Sequence, residues 1–135
     1  MIIADTSVVI AAFATWHQLH RRARRVTDLG PLLPAHVALE TYSVLTRLPP
    51  PHRVAARAVA DFLAARFERP YLVMSQSRYK TFIQDLPARG IQGAATYDAL
   101  IATVAAEAGA TLVTCDLRAT STYARCDAMV DYLEP

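Results

Sequence analysis

Met1-Ile2-Ile3-Ala4-Asp5-Thr6-Ser7 opens the chain with four apolar residues that stop at an acid and two hydroxyls. A short apolar run of this kind reads as a buried strand, and the Asp-Thr-Ser behind it supplies good N-cap residues for a helix. The same order returns at Thr111-Leu112-Val113-Thr114-Cys115-Asp116, a β-branched strand that again ends at an aspartate. Helical stretches bounded by proline and glycine lie between the two. Strands that alternate with helices predict a parallel sheet with helices on both faces, an α/β fold.

Outward from these two strands, Val8 to Ala14 reads as a first helix and His17 to Leu29 as a basic second one. Pro31-Leu32-Leu33-Pro34 is too short for a helix and is expected to be a brief strand. His36 to Leu48 has helical spacing and stops at Pro49-Pro50-Pro51, which cannot continue a helix. Arg53 to Phe67 follows as an amphipathic helix with Val54, Ala58, Phe62 and Ala65 on one side. Tyr71 to Met74 is expected to be a strand, Ser77 to Arg89 a helix, and Thr96 to Ala108 a helix capped by Gly109. A short helix and a strand from Met129 to Tyr132 complete the order.

At 135 residues the chain fits one domain, 1–135. Its 53% hydrophobic and 19% charged content, with 8 Pro and 4 Gly, excludes disordered and collagen-like classes. Two cysteines, Cys115 and Cys126, are too few for a disulfide scaffold or a zinc knuckle and suit a reducing compartment. The apolar run Val8 to Phe13 follows Asp5 with no Lys or Arg ahead of it, unlike a secretory signal. No stretch approaches the roughly 18 apolar residues of a membrane span. A soluble, cytoplasmic protein without membrane association is predicted. The net charge, 14 − 12 = +2, says little about partners.

The acids say more. Ligand sites in open parallel sheets lie beyond the carboxyl ends of the strands, where Asp5 and Asp116 stand. Either one is equally placed to cap a helix. Val37, Val44 and Leu48 share a narrow helical arc flanked by Leu45, and at 100° per residue Glu40 lies only about 40° beyond Val44. Asp98 has Ile101, Ala102 and Ala105 one turn on, although an acid is also favourable in the first turn of a helix. Four carboxylates converging on one cleft are costly without partners. No Lys or Arg is spaced to pair with all of them, and a divalent cation resolves the cost.

These residues resemble the motifs of PIN-domain ribonucleases. Met1 to Ser7 is similar to the family's opening strand with Asp-Thr/Ser-Ser, and Tyr97-Asp98-Ala99-Leu100-Ile101-Ala102 to its third acidic motif. Leu112-Val113-Thr114-Cys115-Asp116-Leu117-Arg118 is similar to the fourth, and Glu40 in Ala38-Leu39-Glu40-Thr41-Tyr42-Ser43-Val44-Leu45 takes the place of the second acid. Order and spacing match over nearly the whole chain, and the length suits the VapC-type toxins of bacterial toxin–antitoxin pairs.

The resemblance implies a three-layer α/β/α fold with a central, mainly parallel sheet. It implies hydrolysis of RNA phosphodiester bonds with Mg²⁺ or Mn²⁺ held by Asp5, Asp98 and Asp116, while Glu40 is a further ligand or orients the attacking water. It also implies a cognate VapB-type antitoxin and a homodimer. Mg²⁺ is a hard ion that prefers carboxylate and water oxygens. Thr6, Ser7 and Thr114 are placed either to hydrogen-bond to ligand carboxylates or metal waters, or to serve as caps and strand formers. Arg118, two after Asp116, is a phosphate contact or an ordinary surface arginine.

With the four acids set aside the remaining charge is 14 − (12 − 4) = +6, which suits a polyanionic substrate. Arg21, Arg22, Arg24 and Arg25 form the densest cluster, beside Trp16, His17 and His20. That cluster is either an RNA contact or a solvated helix face. The i,i+3 histidines permit a metal but lack further ligands. Cys115 reads as a small core residue. Two alternatives stand against the nuclease: a Mg²⁺-binding regulatory, receiver-like α/β domain, and a PIN scaffold without catalysis. The first wants a lysine near the last strands, where Lys80 is badly placed; the intact acidic quartet argues against the second.

Overall fold

Asp5 caps the first helix and thereby sets where the chain turns after its first strand. A computed structural model describes all 135 residues. β1 (Ile2–Ala4) leads into α1 (Thr6–Phe13) and α2 (His20–Asp28), and then come α3 (Ala35–Arg47), α4 (Ala56–Arg66), α5 (Arg78–Asp85) and α6 (Ala95–Glu107). β2 (Thr111–Thr114), α7 (Ala119–Arg125) and β3 (Met129–Tyr132) close the order. The sheet runs β1-β2-β3, all parallel, with Ile3 opposite Leu112 and Leu112 opposite Val130. Helices flank it in a three-layer α/β/α arrangement, and a cluster of 30 buried hydrophobic residues ties the layers together.

Two expected strands shrink to single bridges, Leu32 beside Ile3 and Leu72 beside Pro34. The reason is proline, which brings no N–H to a ladder. The Leu32 N–H donates to the Ile2 carbonyl at 3.1 Å and the Leu72 N–H to the Leu33 carbonyl at 2.9 Å. Pro31, Pro34 and Pro70 interrupt any longer ladder. The parallel sheet therefore continues past β1 only as a frayed edge.

The amphipathic face expected for α4 is rotated. Val59, Leu63 and Phe67 are buried and Phe62 is half-buried, whereas Ala58 and Ala65 stay exposed. Larger side chains bury more apolar area per position, so the helix turns them inward and leaves alanine outside. It also begins at Ala56 rather than Arg53. The Val54 N–H bonds to the Leu45 carbonyl and Arg53 Nε to the Leu48 carbonyl, which holds these residues against the end of α3. α5 ends at Asp85, short of Arg89, because Pro87 cannot extend it.

α6 is largely enclosed, with Ala99 and Ile101 to Ala105 buried. Gly109, at φ +65°, ends it: the Ala110 N–H returns to the Ala105 carbonyl and the Gly109 N–H to Ala106, a Schellman closure. That turn delivers the chain into β2. The carboxyl ends of β1 and β2 therefore lie side by side, with Asp5 and Asp116 just beyond them.

Candidate active site

Asp5 is 2% exposed, and both oxygens of its carboxylate accept hydrogen bonds. Oδ1 accepts from the Ser7 hydroxyl at 2.5 Å and from the Val8 N–H at 3.1 Å. Oδ2 accepts from the Tyr123 hydroxyl at 2.8 Å. Burial pushes the Asp5 carboxyl above its usual range, and the donors Ser7, Tyr123 and the Val8 N–H counter it. Capping α1 through Oδ1 leaves the Asp5 carboxylate at the strand end, where the candidate site is expected.

A run of hydrogen bonds joins the two strand ends. The Asp116 N–H donates to Thr114 Oγ1 at 2.9 Å, and Thr114 Oγ1 lies 3.3 Å from Ser7 Oγ. Each hydroxyl has one proton. Ser7 spends its proton on Asp5, so Thr114 is the donor to Ser7. The Cys115 N–H also donates to Ser7 Oγ, at 2.8 Å. The relay runs from the Asp116 backbone through Thr114 and Ser7 to Asp5, and sets the turn after β2 relative to the start of α1. Burial and the nearby Asp5 charge push the Cys115 thiol up to about 11, so it remains a protonated, partly buried side chain.

Asp116 closes its own turn, accepting from the Arg118 N–H at 3.0 Å. It does not cap α7, whose N-cap residue is Arg118 with no side-chain cap. The Arg118 guanidinium lies 3.7 Å from Asp116 but is 94% exposed, so solvent screens the pair.

Asp98, in the first turn of α6, reports how the acids lie. Its carboxyl is pushed from 3.8 to about 6, first by burial and then by the like charges of Glu40, Asp116 and Asp5. The other three acids, at the end of β1, on α3 and beyond β2, thus lie near enough for their charges to bear on Asp98. The donor set is entirely hard oxygen, and the crowding is relieved only in part by His36. That chemistry fits a hard divalent cation. In this conformation no three His, Cys, Asp or Glu side chains meet closely enough to hold an ion in common.

Tyr123 and His36 have no counterpart in the motif reading, and Tyr97 enters it only as the residue before Asp98. Tyr123 carries no sequence signal, because its partner Asp5 is 118 residues away. His36 Nε2 lies 3.6 Å from Glu40 Oε2, an i,i+4 pair that the spacing alone offered. Tyr97 stacks on His36 with ring centroids 5.1 Å apart and planes 2° from parallel. Thr6 lies outside the relay: its hydroxyl is buried without a partner.

On α2, Arg21, Arg22, Arg24 and Arg25 are all exposed, and the Arg22 guanidinium also donates to the Glu134 carbonyl. His17 Nδ1 accepts from the Leu19 N–H, and His20 Nδ1 pairs with the Ala11 carbonyl. Both histidines are thus built into local backbone structure.

A family profile described as PIN domain matches residues 2–124. Ribonuclease VapC40 of Mycobacterium tuberculosis is 49% identical over 131 residues, covering 97% of this chain and 98% of its own. Ribonuclease VapC27 of the same organism is 39% identical over 127 residues, covering 90% and 89%. The crystal structure of FitAcB from Neisseria gonorrhoeae superposes with a TM-score of 0.69 at 19% identity, covering 96% of each chain. The chain belongs to the PIN-domain family. Within it, the match is to VapC-type proteins of the same length, which sets aside the receiver-like alternative.

Proposed function

We propose that this protein is a Mg²⁺-dependent endoribonuclease that acts as the toxin of a toxin–antitoxin pair. The observation that carries the reading is the placement of Asp5 and Asp116 just beyond adjacent parallel strand ends, with the charges of Glu40, Asp116 and Asp5 bearing on Asp98. Near-full-length identity to proteins named ribonucleases supports the substrate class. Asp5, Asp98 and Asp116 would hold the cation, with Mn²⁺ as a substitute, and Glu40 would be a further ligand or would orient water. When bound, the cation supplies neutralisation of the phosphate charge and acidifies an attacking water.

The chain's own residues do the rest. Ser7 and Tyr123 hold the Asp5 carboxylate in one orientation, and Thr114 holds the Asp116 turn in register with it. Arg118 is free to reach a phosphate, since its side chain is almost wholly exposed. A VapB-type antitoxin would silence this cleft, and an inserted arginine suits the carboxylates. An apolar groove of about 470 Å³ between α3 and α4, walled by Leu39, Tyr42, Leu63 and Tyr71, supplies a face for association and supports the expectation of a homodimer. No helix is long and apolar enough to cross a membrane, and a cytoplasmic setting suits both the RNA substrate and the free thiols.

Incubation of the purified protein with total cellular RNA tests the reading. Discrete fragments are expected with Mg²⁺ or Mn²⁺ and none in chelator. Asp5→Asn and Asp98→Asn should retain the fold and lose at least about a hundredfold in rate, the scale on which removal of one transition-state contact acts. Cleavage that survives both substitutions sinks the assignment. Intact RNA with every cation tried favours the non-catalytic scaffold.

A further inference from the structure

An acidic cleft repels RNA. Before any cation screens it, the quartet faces phosphates of its own sign, so a contact at its rim that does not depend on charge would add affinity where the acids remove it. One such contact is available at the rim. Tyr97 directly precedes Asp98 and is 54% exposed. His36 lies parallel to it, and the same His36 approaches Glu40 and bears on Asp98. The Tyr97 ring is thus braced from one side and open to solvent while standing beside two of the four acids.

We propose that Tyr97, braced by His36, is a stacking platform for one unpaired base of a single-stranded RNA next to the scissile phosphate. This rests on the ribonuclease reading given above. Unpaired bases are recognised by stacking on aromatic side chains, and such contacts tolerate any base because every base has a π face. The bracing by His36 keeps the ring in one plane before the RNA arrives. The platform therefore fixes where the backbone lies over the carboxylates, and selects for unpaired RNA without selecting a base.

The test measures binding of a fluorescein-labelled, mixed-sequence RNA of about twelve nucleotides by anisotropy with Mg²⁺ present. All proteins carry Asp116→Asn to suppress cleavage. Adding Tyr97→Ala should weaken binding about five- to twentyfold, whereas Tyr97→Phe should stay within about twofold, since the ring and not the hydroxyl stacks. Replacing one nucleotide at a time by an abasic unit should weaken binding at one position in the parent, and at no position further in Tyr97→Ala. An unchanged melting temperature keeps the loss assigned to the contact. Equal binding by Tyr97→Ala and the parent, or an abasic penalty that survives Tyr97→Ala, overturns the platform even where wild type cleaves RNA. Absence of both binding and wild-type cleavage instead removes the ribonuclease reading, and the platform with it.

Discussion

Tyr123, on α7, donates its hydroxyl to Oδ2 of Asp5 at 2.8 Å and so ties the last helix to the end of the first strand. Both residues are 2% exposed, so neither partner has water to fall back on. Burial and the Asp5 charge drive the Tyr123 phenol far above its ordinary range, and it stays a proton donor at every accessible pH. Tyr123→Phe should lower stability by about 1–3 kcal/mol, because it leaves one oxygen of a buried carboxylate unpaired. Urea unfolding in chelator measures this. A loss under about 0.5 kcal/mol, the scale of an ordinary surface substitution, would show the bond to be incidental.

The relay from Thr114 through Ser7 to Asp5 predicts coupling. Ser7→Ala removes a donor to Asp5 and an acceptor for the Cys115 N–H in one step. Thr114→Val removes the donor to Ser7 and the acceptor for the Asp116 N–H. Each should cost about 1–3 kcal/mol alone. Once one link is gone the other has less to hold, so the double variant should lose about 0.5–3 kcal/mol less than the two losses added. Strict additivity in a double-mutant cycle would show two separate bonds and no relay.

Asp98 predicts a pH dependence with a definite sign. Its folded carboxyl titrates at about 6 against an ordinary 3.8, so the folded state holds the proton more tightly than the unfolded chain. Between about pH 4 and 6 the native state binds more protons, and the contribution of this group to stability falls as pH rises. Asp98→Asn removes the penalty. In chelator, the variant should melt with wild type near pH 4 and increasingly above it up to a plateau beyond about pH 6. A difference that stays flat, or that shrinks with rising pH, would contradict the crowding.

What the sequence made legible was what short-range chemistry controls. β1 and β2 are apolar runs of fixed direction that end at acids, and their parallel pairing follows from the α/β alternation. Glu40 and Asp98 could be found because a carboxylate at the margin of an apolar helical face stands out against its neighbours. Long-range effects were hidden. The rotation of α4 depends on which side chains its neighbours can cover, and the collapse of the strands at Leu32 and Leu72 to bridges depends on backbone donors that proline withholds. Tyr123 is invisible for the same reason, since nothing local distinguishes it from a tyrosine filling space. His36 was half legible: its spacing from Glu40 was there to read, while its stacking with Tyr97 needed α3 and α6 side by side.

On the proposed reading the quartet trades stability against function, and a cation should reveal the exchange. Four carboxylates facing one region repel each other and are partly desolvated, which disfavours the charged folded state until a cation arrives. A ligand bound only by the folded state stabilises it, by about 2.7 kcal/mol at a hundred times its dissociation constant. Added Mg²⁺ should therefore raise the wild-type melting temperature at neutral pH. Asp98→Asn should start at the same temperature or higher in chelator and gain clearly less from Mg²⁺, having lost both a repelling charge and a ligand. Asp85→Asn, an exposed position at the end of α5, provides the control and should respond to Mg²⁺ as wild type does. A first-turn acid with no part in the site would behave otherwise. Its loss would cost about 0.3–1 kcal/mol and leave the Mg²⁺ response whole. That outcome would remove Asp98 from the site, and with it the carboxylate on which the nuclease reading chiefly stands.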